Sequence, residues 1–247
     1  MDKALYDEMF ALEQRHWWFA AKRQIVLAML RRFLGTLKGA RVYDVGCGCG
    51  MMLQELSRLG CAANGLDASE TALEYCRARG VPADRCLLPE QPGLPPDSAD
   101  AVLLLDVLEH VDRDRESFVA AMKLARPGGV GIVTVPAYQW LWTKRDEFHY
   151  HKRRYNRQRL RAVLEHDNVR IERLTYCNTN LFPLAMAGRL LAKIVPDKKP
   201  KDLSVPAAPV NAMLRWMFAA ERWPIAAGVP LPWGLSLLAV VRRKERQ

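Results

Sequence analysis

Val42-Tyr43-Asp44-Val45-Gly46-Cys47-Gly48-Cys49-Gly50 is the stretch that decides the fold. Arg41 to Val45 is a β-branched and aromatic run of strand length, and Met51 to Leu59 has helical spacing. Between them stand three glycines at alternate positions. Strand, glycine turn and helix bring a ligand close to main-chain N–H groups, because glycine accepts left-handed backbone and carries no Cβ. Asp44 precedes the first glycine by two residues, and Asp67 follows it by 21, closing a strand-like run from Cys61 to Leu66. An acid at that distance is placed to take the two hydroxyls of a ribose. A dinucleotide turn reads G-x-G-x-x-G, with its third glycine set for a pyrophosphate on the helix N-terminus. Here the spacing is G-x-G-x-G with an acid beside it, which suits a ligand carrying an ammonium.

Downstream of this core, Ser69 is an N-cap for a helix to about Arg79, and Arg85 to Leu88 is a third short strand. Pro89 to Asp97 holds four prolines and a glycine and reads as a loop. Ala101 to Leu105 is a buried strand that runs into Asp106-Val107-Leu108-Glu109-His110. A helix from about Asp112 to Ala125, a turn at Arg126-Pro127-Gly128-Gly129 and a strand from Val130 to Val135 follow. Strands alternating with helices predict a parallel, doubly wound sheet, whose ligands lie beyond the carboxyl ends of the strands. Gly46, Asp67, Glu90, Asp106 and Pro136 all fall at those ends.

Outside this unit the character changes. Residues 3–35 read as one or two helices, interrupted by Arg15-His16-Trp17-Trp18-Phe19. Three consecutive aromatics cannot all face one helical stripe. Two of them pack and one is exposed, or they form a lid over a pocket in which Lys22 or Arg23 meets a carboxylate. Residues 136–155 are aromatic and basic, too irregular for a strand and long enough to be functional. A helix over 157–165 and a strand over 169–177 follow, then an apolar stretch over 181–195 interrupted by Arg189 and Lys193. A connector over 198–209 leads to a helix over 211–223 with Met213, Leu214, Met217 and Phe218 as its apolar face, and to a strand over 235–241. The division expected is a helical cap at 1–38 and a main domain at 39–247, with insertions at about 137–158 and 180–233.

A chain of 247 residues, half of them hydrophobic, fits one α/β domain with an appendage and excludes a disordered chain. The formal charge of +10 favours anionic partners without choosing among them. The six cysteines lack a disulfide framework, and Cys47-x-Cys49 is not the C-x-x-C of zinc or redox sites, so the thiols are expected reduced and no metal is assigned. The acidic, amphipathic N-terminus does not read as a secretory leader. The expected location is therefore cytoplasmic, with at most peripheral contact at the inner face of a membrane.

The run Asp44-x-Gly46-x-Gly48-x-Gly50, with Asp67, Glu90 and Asp106-x-x-Glu109-His110, resembles the class I S-adenosylmethionine-dependent methyltransferases over about residues 40 to 136. The resemblance implies an α/β fold. Its Rossmann-like sheet would have seven mostly parallel strands, a reversed final hairpin and helices on both faces, with an N-terminal helical cap and a C-terminal helical insertion. It implies S-adenosylmethionine as cofactor and S-adenosylhomocysteine as product. Asp44, Gly46, Cys47 and Gly48 would then line the methionyl and ribose parts, with Cys47 giving only its backbone. Asp67 and Ala68 would meet the ribose, and Glu90 stands where an Asp usually binds the adenine amino group. Asp106 would line both cofactor and substrate. Beside the resemblance, the aromatic-lid reading makes Trp18 and Arg23 further candidates for binding the cofactor.

Leu105 to Val111 is similar to the matching segment of ubiquinone-biosynthesis O-methyltransferases. His16 to Phe19, His151-x-Arg153-Arg154-Tyr155 and Leu181-Phe182-Pro183 resemble a bacterial subgroup linked with cell-envelope glycan or glycolipid synthesis.

The activity expected is methyl transfer to a small-molecule or glycolipid acceptor at oxygen, with a histidine base. His110, after the fourth strand, is the first candidate, and shaping the pocket accounts for it as well. His151 and His149 lie in the loop that covers the acceptor in this family, with Asp106 beside the reacting groups. The basic cluster from Lys144 to Arg161 reads as a solvated face, or as a clamp for a phosphorylated or lipid-linked acceptor. Trp216, Trp223 and Trp233 with Lys198, Lys199, Lys201 and Arg215 would suit an anionic membrane surface. Two rival functions are an RNA methyltransferase and a non-catalytic cofactor-binding protein. Nucleic acid is disfavoured, because no Asn/Asp-Pro-Pro-aromatic turn follows the fourth strand and no nucleic-acid-binding module is appended. The oligomeric state is not legible.

Overall fold

In the computed structural model, which describes residues 3–90, 93–194 and 204–245, the apolar runs pair into one seven-stranded sheet. The strands are β1 (Arg41–Val45), β2 (Ala62–Asp67), β3 (Ala83–Arg85), β4 (Ala99–Leu105), β5 (Ala125–Pro136), β6 (Val169–Cys177) and β7 (Ser236–Arg243). They lie in the order β3-β2-β1-β4-β5-β7-β6. Neighbours pair in parallel except β7, which is antiparallel to both β5 and β6. This is the Rossmann-like sheet with a reversed end expected from the sequence. The chain leaves β1 toward β2 on one side and resumes with β4 on the other. The ends of β1 and β4 therefore form the switch point at which such sheets take ligands.

The described helices are α1 (Lys3–Leu12), α2 (Trp17–Leu34), α3 (Met51–Arg58), α4 (Glu70–Ala78), α5 (Asp114–Met122), α6 (Lys144–Phe148), α7 (Arg157–Leu164), α8 (Phe182–Ile194), α9 (Ala208–Ala219) and α10 (Arg222–Ala227). They cover both faces of the sheet, which is why its central strands are apolar almost without interruption. Leu103, Ile132 and Val240 point to the face packed with Ile25, Met29, Leu30 and Leu53. Their chain neighbours Leu104, Val133 and Ala239 point to the other face, with Phe118, Tyr155 and Leu160. Each large side chain buried this way contributes about 1.5–3 kcal/mol.

Three boundaries differ from expectation. The third strand is Ala83–Arg85 and not 85–88, because its partner β2 ends at Asp67, opposite Arg85. The fifth strand begins at Ala125 and absorbs the expected turn. Gly128, at φ +78°, lets the chain bulge, and the register on β4 shifts between Ala99 and Ala101. The helix expected over 211–223 is two helices. Pro224 has no N–H to donate and clashes with the carbonyl four residues back, so it sits in the first turn of a new helix. Of that helix's expected apolar face, Phe218 is buried but Met213 is exposed.

The N-terminal helices and the C-terminal insertion form one layer. Trp17 meets Phe218 edge-on at 6.3 Å. The Asn211 side chain accepts from the Trp17 N–H at 2.9 Å and donates to the Arg15 carbonyl at 2.8 Å. His16 caps α2, accepting from the Trp18 N–H at 3.2 Å. The side chains of Arg189 and Lys193 and the residues Lys198, Lys199 and Lys201 lie outside the described residues.

Candidate functional site

The glycine turn closes on itself through backbone alone. Gly46 and Cys47 both donate to the Leu66 carbonyl, at 2.6 and 3.1 Å. Gly46, Gly48 and Gly50 all have positive φ. A Cβ at Gly46 would stand 2.4 Å from Val107 Cγ2, so even alanine would push on the segment after β4. Cys47 turns its thiol inward, 3.8 Å from Cys76 Sγ, and offers the pocket only backbone. All six cysteines are free.

Asp67 ties this turn to the next helix. Its carboxylate accepts from the Gly48 N–H and the Ser69 N–H, each at 2.9 Å. Ser69 thus stands at the N-cap position of α4 without capping it by its own side chain. Ala68 is exposed between them. Burial raises the Asp67 pKa, against those backbone hydrogen bonds. Asp44 is 2% exposed, and its Oδ1 has no hydrogen-bond partner among the described residues. Burial, then the charges of Asp67 and Glu13, push its carboxyl up to about 7. A buried carboxylate oxygen left orphaned beside a glycine turn is what a ligand ammonium would satisfy. The residues present therefore fit S-adenosylmethionine.

The roof over the turn was not legible in the sequence. Helix α1 lies across it: Met9 Cε would be 3.1 Å from a Cβ at Gly48, and Cys49 Sγ meets the Tyr6 carbonyl at 3.6 Å. The Tyr6 hydroxyl interacts with Ser69 and feels Asp67. Arg79 anchors this roof through buried Glu13 and the Cys49 carbonyl. Arg23 lies behind it, bonded to Glu55 at 2.8 Å and to the Glu13 carbonyl at 2.7 Å. Glu90 is exposed in the loop after β3, its N–H on the Leu87 carbonyl at 2.8 Å.

The other half of the site is built at the ends of β4 and β5. Asp106 has φ +56°, uncommon without glycine, and Thr134 holds it there through its carbonyl at 2.9 Å and its hydroxyl at 3.2 Å. The Asp106 carboxylate pairs with Lys22, whose ammonium also lies 4.6 Å over the Trp18 ring. Trp18 and Lys22 thus reach the switch point from α2, and Arg23 turns away from it. Burial lowers the Lys22 pKa to about 8, with Glu109 opposing the shift.

Beyond Asp106, two loops are fixed together by main-chain contacts. The Lys152 N–H donates to the Glu109 carbonyl at 2.7 Å, and the Tyr155 hydroxyl meets the Leu108 carbonyl at 3.0 Å. This brings the His110 and His151 rings to 4.8 Å, nearly perpendicular. Ligand atoms of Glu109, His110 and His151 lie within 4.8 Å of one another. Burial, then His151 and His149, lowers the His110 pKa to about 3. Burial also lowers that of His151, against the pull of Asp146. Both imidazoles are therefore neutral near pH 7. Glu109 is 1% exposed, and neither of its carboxylate oxygens has a hydrogen-bond partner among the described residues. Burial raises its pKa to about 8, against Lys22 and Arg154. The His149 ring lies 5.9 Å from that of His151 and is tilted against it.

Asp146 is the residue that sequence reasoning missed. It is 1% exposed and meets His151 Nδ1 at 2.9 Å and Arg154 at 2.7 Å. Burial opposes its ionisation, yet His151 and Arg154 hold its carboxyl well below the usual range. The signal available was the capping box Thr143-x-x-Asp146 at the start of α6, which the structure contains. His16 is committed to capping α2, and burial lowers its pKa to about 4.

Comparison with known proteins agrees with this geometry. Residues 43–133 match the family model described as a methyltransferase domain. The ubiquinone biosynthesis O-methyltransferase of Bordetella bronchiseptica is 31% identical over 148 residues, which is 52% of this chain and 59% of that protein. The chain thus matches about three fifths of that relative's length. Among solved structures, an S-adenosylmethionine-dependent methyltransferase from Archaeoglobus fulgidus aligns at TM-score 0.53 and 20% identity, over 90% of this chain and 94% of that one. One from Mesorhizobium loti aligns at TM-score 0.57 and 20% identity, over 87% and 96%. At that identity the likeness extends to the fold.

Proposed function

We propose that this chain, whose residues 43–133 are a class I, S-adenosylmethionine-dependent methyltransferase domain, transfers a methyl group to oxygen on a small-molecule acceptor. The observation that carries this reading is the Asp146–His151 pair beside His110, in the segments that follow β4 and β5. Bound at the glycine turn, S-adenosylmethionine supplies an electrophilic methyl group on a sulfonium. Asp44 would hold its ammonium, the backbone of Gly46 to Gly48 would support it, and Asp67 and Tyr6 would bind the ribose. What remains for the protein is to place the acceptor in line and take its hydroxyl proton. Asp146 fixes His151 with Nδ1 protonated, which leaves Nε2 as the neutral lone pair that accepts that proton. His110 shapes the same pocket and is the second candidate for this role. Positioning of this kind supplies at best about 7–11 kcal/mol of the barrier.

Two finer features of the acceptor are inferred. The Bordetella relative is named for an O-methylation in ubiquinone biosynthesis, which supports oxygen as the methylated atom. Trp216, Trp223 and Trp233 are exposed on a chain of charge +10, which supports an acceptor presented by an anionic lipid surface, as in envelope glycolipid synthesis.

The test is turnover of His151→Ala and His110→Ala, followed as S-adenosylhomocysteine formed with a cell extract, alongside S-adenosylmethionine affinity. Loss of roughly 10²–10⁴-fold in turnover for His151→Ala, at unchanged affinity, is expected for a general base. Normal turnover in both variants would sink the histidine-base assignment. No S-adenosylhomocysteine from the wild type with any extract would sink methyl transfer itself.

A further inference from the structure

We propose that Glu109, His110 and His151 form a site for one divalent transition-metal cation of the zinc class. Two imidazoles and one carboxylate are a ligand set such ions take, and three protein ligands leave a position open for water or a substrate oxygen. The three ligand atoms already lie within 4.8 Å of one another. Around a tetrahedral zinc with bonds of about 2.0–2.1 Å they would close to roughly 3.4 Å, a movement within reach of side-chain rotation.

Three further features point to a cation. Glu109 is 1% exposed, yet both its carboxylate oxygens lack a hydrogen-bond partner among the described residues. A buried carboxylate with no donor is costly unless an ion completes it. His151 gives its Nδ1 to Asp146, which leaves Nε2 for a metal. A bound ion would take the lone pair that serves as base in the metal-free protein, so the two roles of Nε2 are alternatives. A carboxylate behind a histidine is the arrangement that fixes tautomer and ring orientation in metal sites. The charges also agree. Glu109, Asp106 and Asp146 are three acids, and Lys22 and Arg154 are the two bases paired among them. Acids outnumber bases there by one, so the cluster is not over-supplied with positive charge before a cation binds.

The ligands are held by main-chain bonds, so the site is preorganised in the sense that matters for affinity. The Glu109 carbonyl is bonded to the N–H of Lys152, the residue after His151. At this place the open position faces the acceptor side, and that part of the role rests on the methyl-transfer reading. Occupancy of the site does not.

The experiment is titration of metal-stripped full-length protein with Co²⁺, read by visible d–d absorption, and with Zn²⁺, read by calorimetry. Neither donor nor acceptor is present, so an inactive enzyme would still bind. One ion per chain is expected. Glu109→Gln and His151→Ala should each weaken binding by at least 100-fold, and Asp146→Asn by about 10–100-fold. Circular dichroism and thermal melting identify variants that remain folded. Absence of Co²⁺ and Zn²⁺ binding by the wild type would overturn the site, as would undiminished binding by folded Glu109→Gln and His151→Ala.

Discussion

Asp44 is the residue on which donor affinity should turn. Its carboxyl is raised to about 7 by burial and by Asp67 and Glu13. In the free protein it therefore holds a proton below that pH, whereas a ligand ammonium favours the carboxylate. Affinity for S-adenosylhomocysteine, which keeps the ammonium, should rise by up to tenfold per pH unit below about 7 and flatten above it. Asp44→Asn should abolish this slope and weaken binding by about 1.5–3 kcal/mol. Calorimetry across that range checks both, and a flat wild-type profile would remove Asp44 as the ammonium's partner. The sign for stability is opposite. The folded pKa lies above the ordinary aspartate value of 3.8, so the free protein binds more protons folded than unfolded. This group's contribution therefore falls as pH rises from 3.8 to about 7. Asp44, the glycines and Asp67 were legible because each belongs to one local spacing. Tyr6 was not, because it meets Ser69 and the Cys49 thiol across the fold. Asp146 was missed although its partners Thr143, His151 and Arg154 are local, because an acid in a basic loop reads as solvated until its burial is seen.

At the scale of elements, the acceptor side depends on how firmly the segment after β5 is joined to the turn after β4. Tyr155 is fully buried, and its hydroxyl is shared between the Leu108 carbonyl at 3.0 Å and Asp114 at 2.9 Å. Tyr155→Phe keeps the ring and removes that link, at a cost of about 1–3 kcal/mol with the partners left unsatisfied. The expected outcome is lower stability in denaturant and lower turnover, with S-adenosylmethionine affinity unchanged, because Leu108 leads into Glu109 and His110 on the acceptor side. Equal loss of affinity and turnover would mean that the two halves of the site are not separable. The strands themselves were largely legible, since β1, β2 and β4 are apolar runs bounded by turn signals. What misled was punctuation. Arg126-Pro127-Gly128-Gly129 reads as a turn, yet the main chain bulges there and stays in the sheet. The basic segment over 144–161 read as a solvated face or a phosphate clamp. Instead Arg153 pairs with Asp114 and Arg154 with Asp146, so two of its arginines are spent on holding the loop.

For the whole molecule, the formal charge of +10 must be set beside where the large apolar side chains emerge. Val210, Met213 and Trp216 are exposed on α9, Trp223 on α10 and Trp233 just before β7, all within the C-terminal insertion and its exit. Trp216 and Trp223 are 66% and 58% exposed, more than solitary surface residues of this size need be. Arg222 lies 4.0 Å over the Trp223 ring, placing a cation and an aromatic side by side. Among the described residues no helix is long and apolar enough to cross a membrane. If these side chains meet anionic lipid as proposed, two separable terms would contribute. The electrostatic one is screened as the Debye length falls to about 3 Å at 1 M salt, and the apolar one is not. The protein should therefore sediment with vesicles containing an anionic phospholipid at low salt, and much less with neutral ones. High salt should release most of it. Trp216→Ala with Trp223→Ala should reduce the bound fraction several-fold at low salt and leave the melting temperature unchanged, because neither indole is buried. Failure of the wild type to sediment at low salt would remove the lipid surface from the proposed function. Equal sedimentation of the double variant would assign any binding to charge alone.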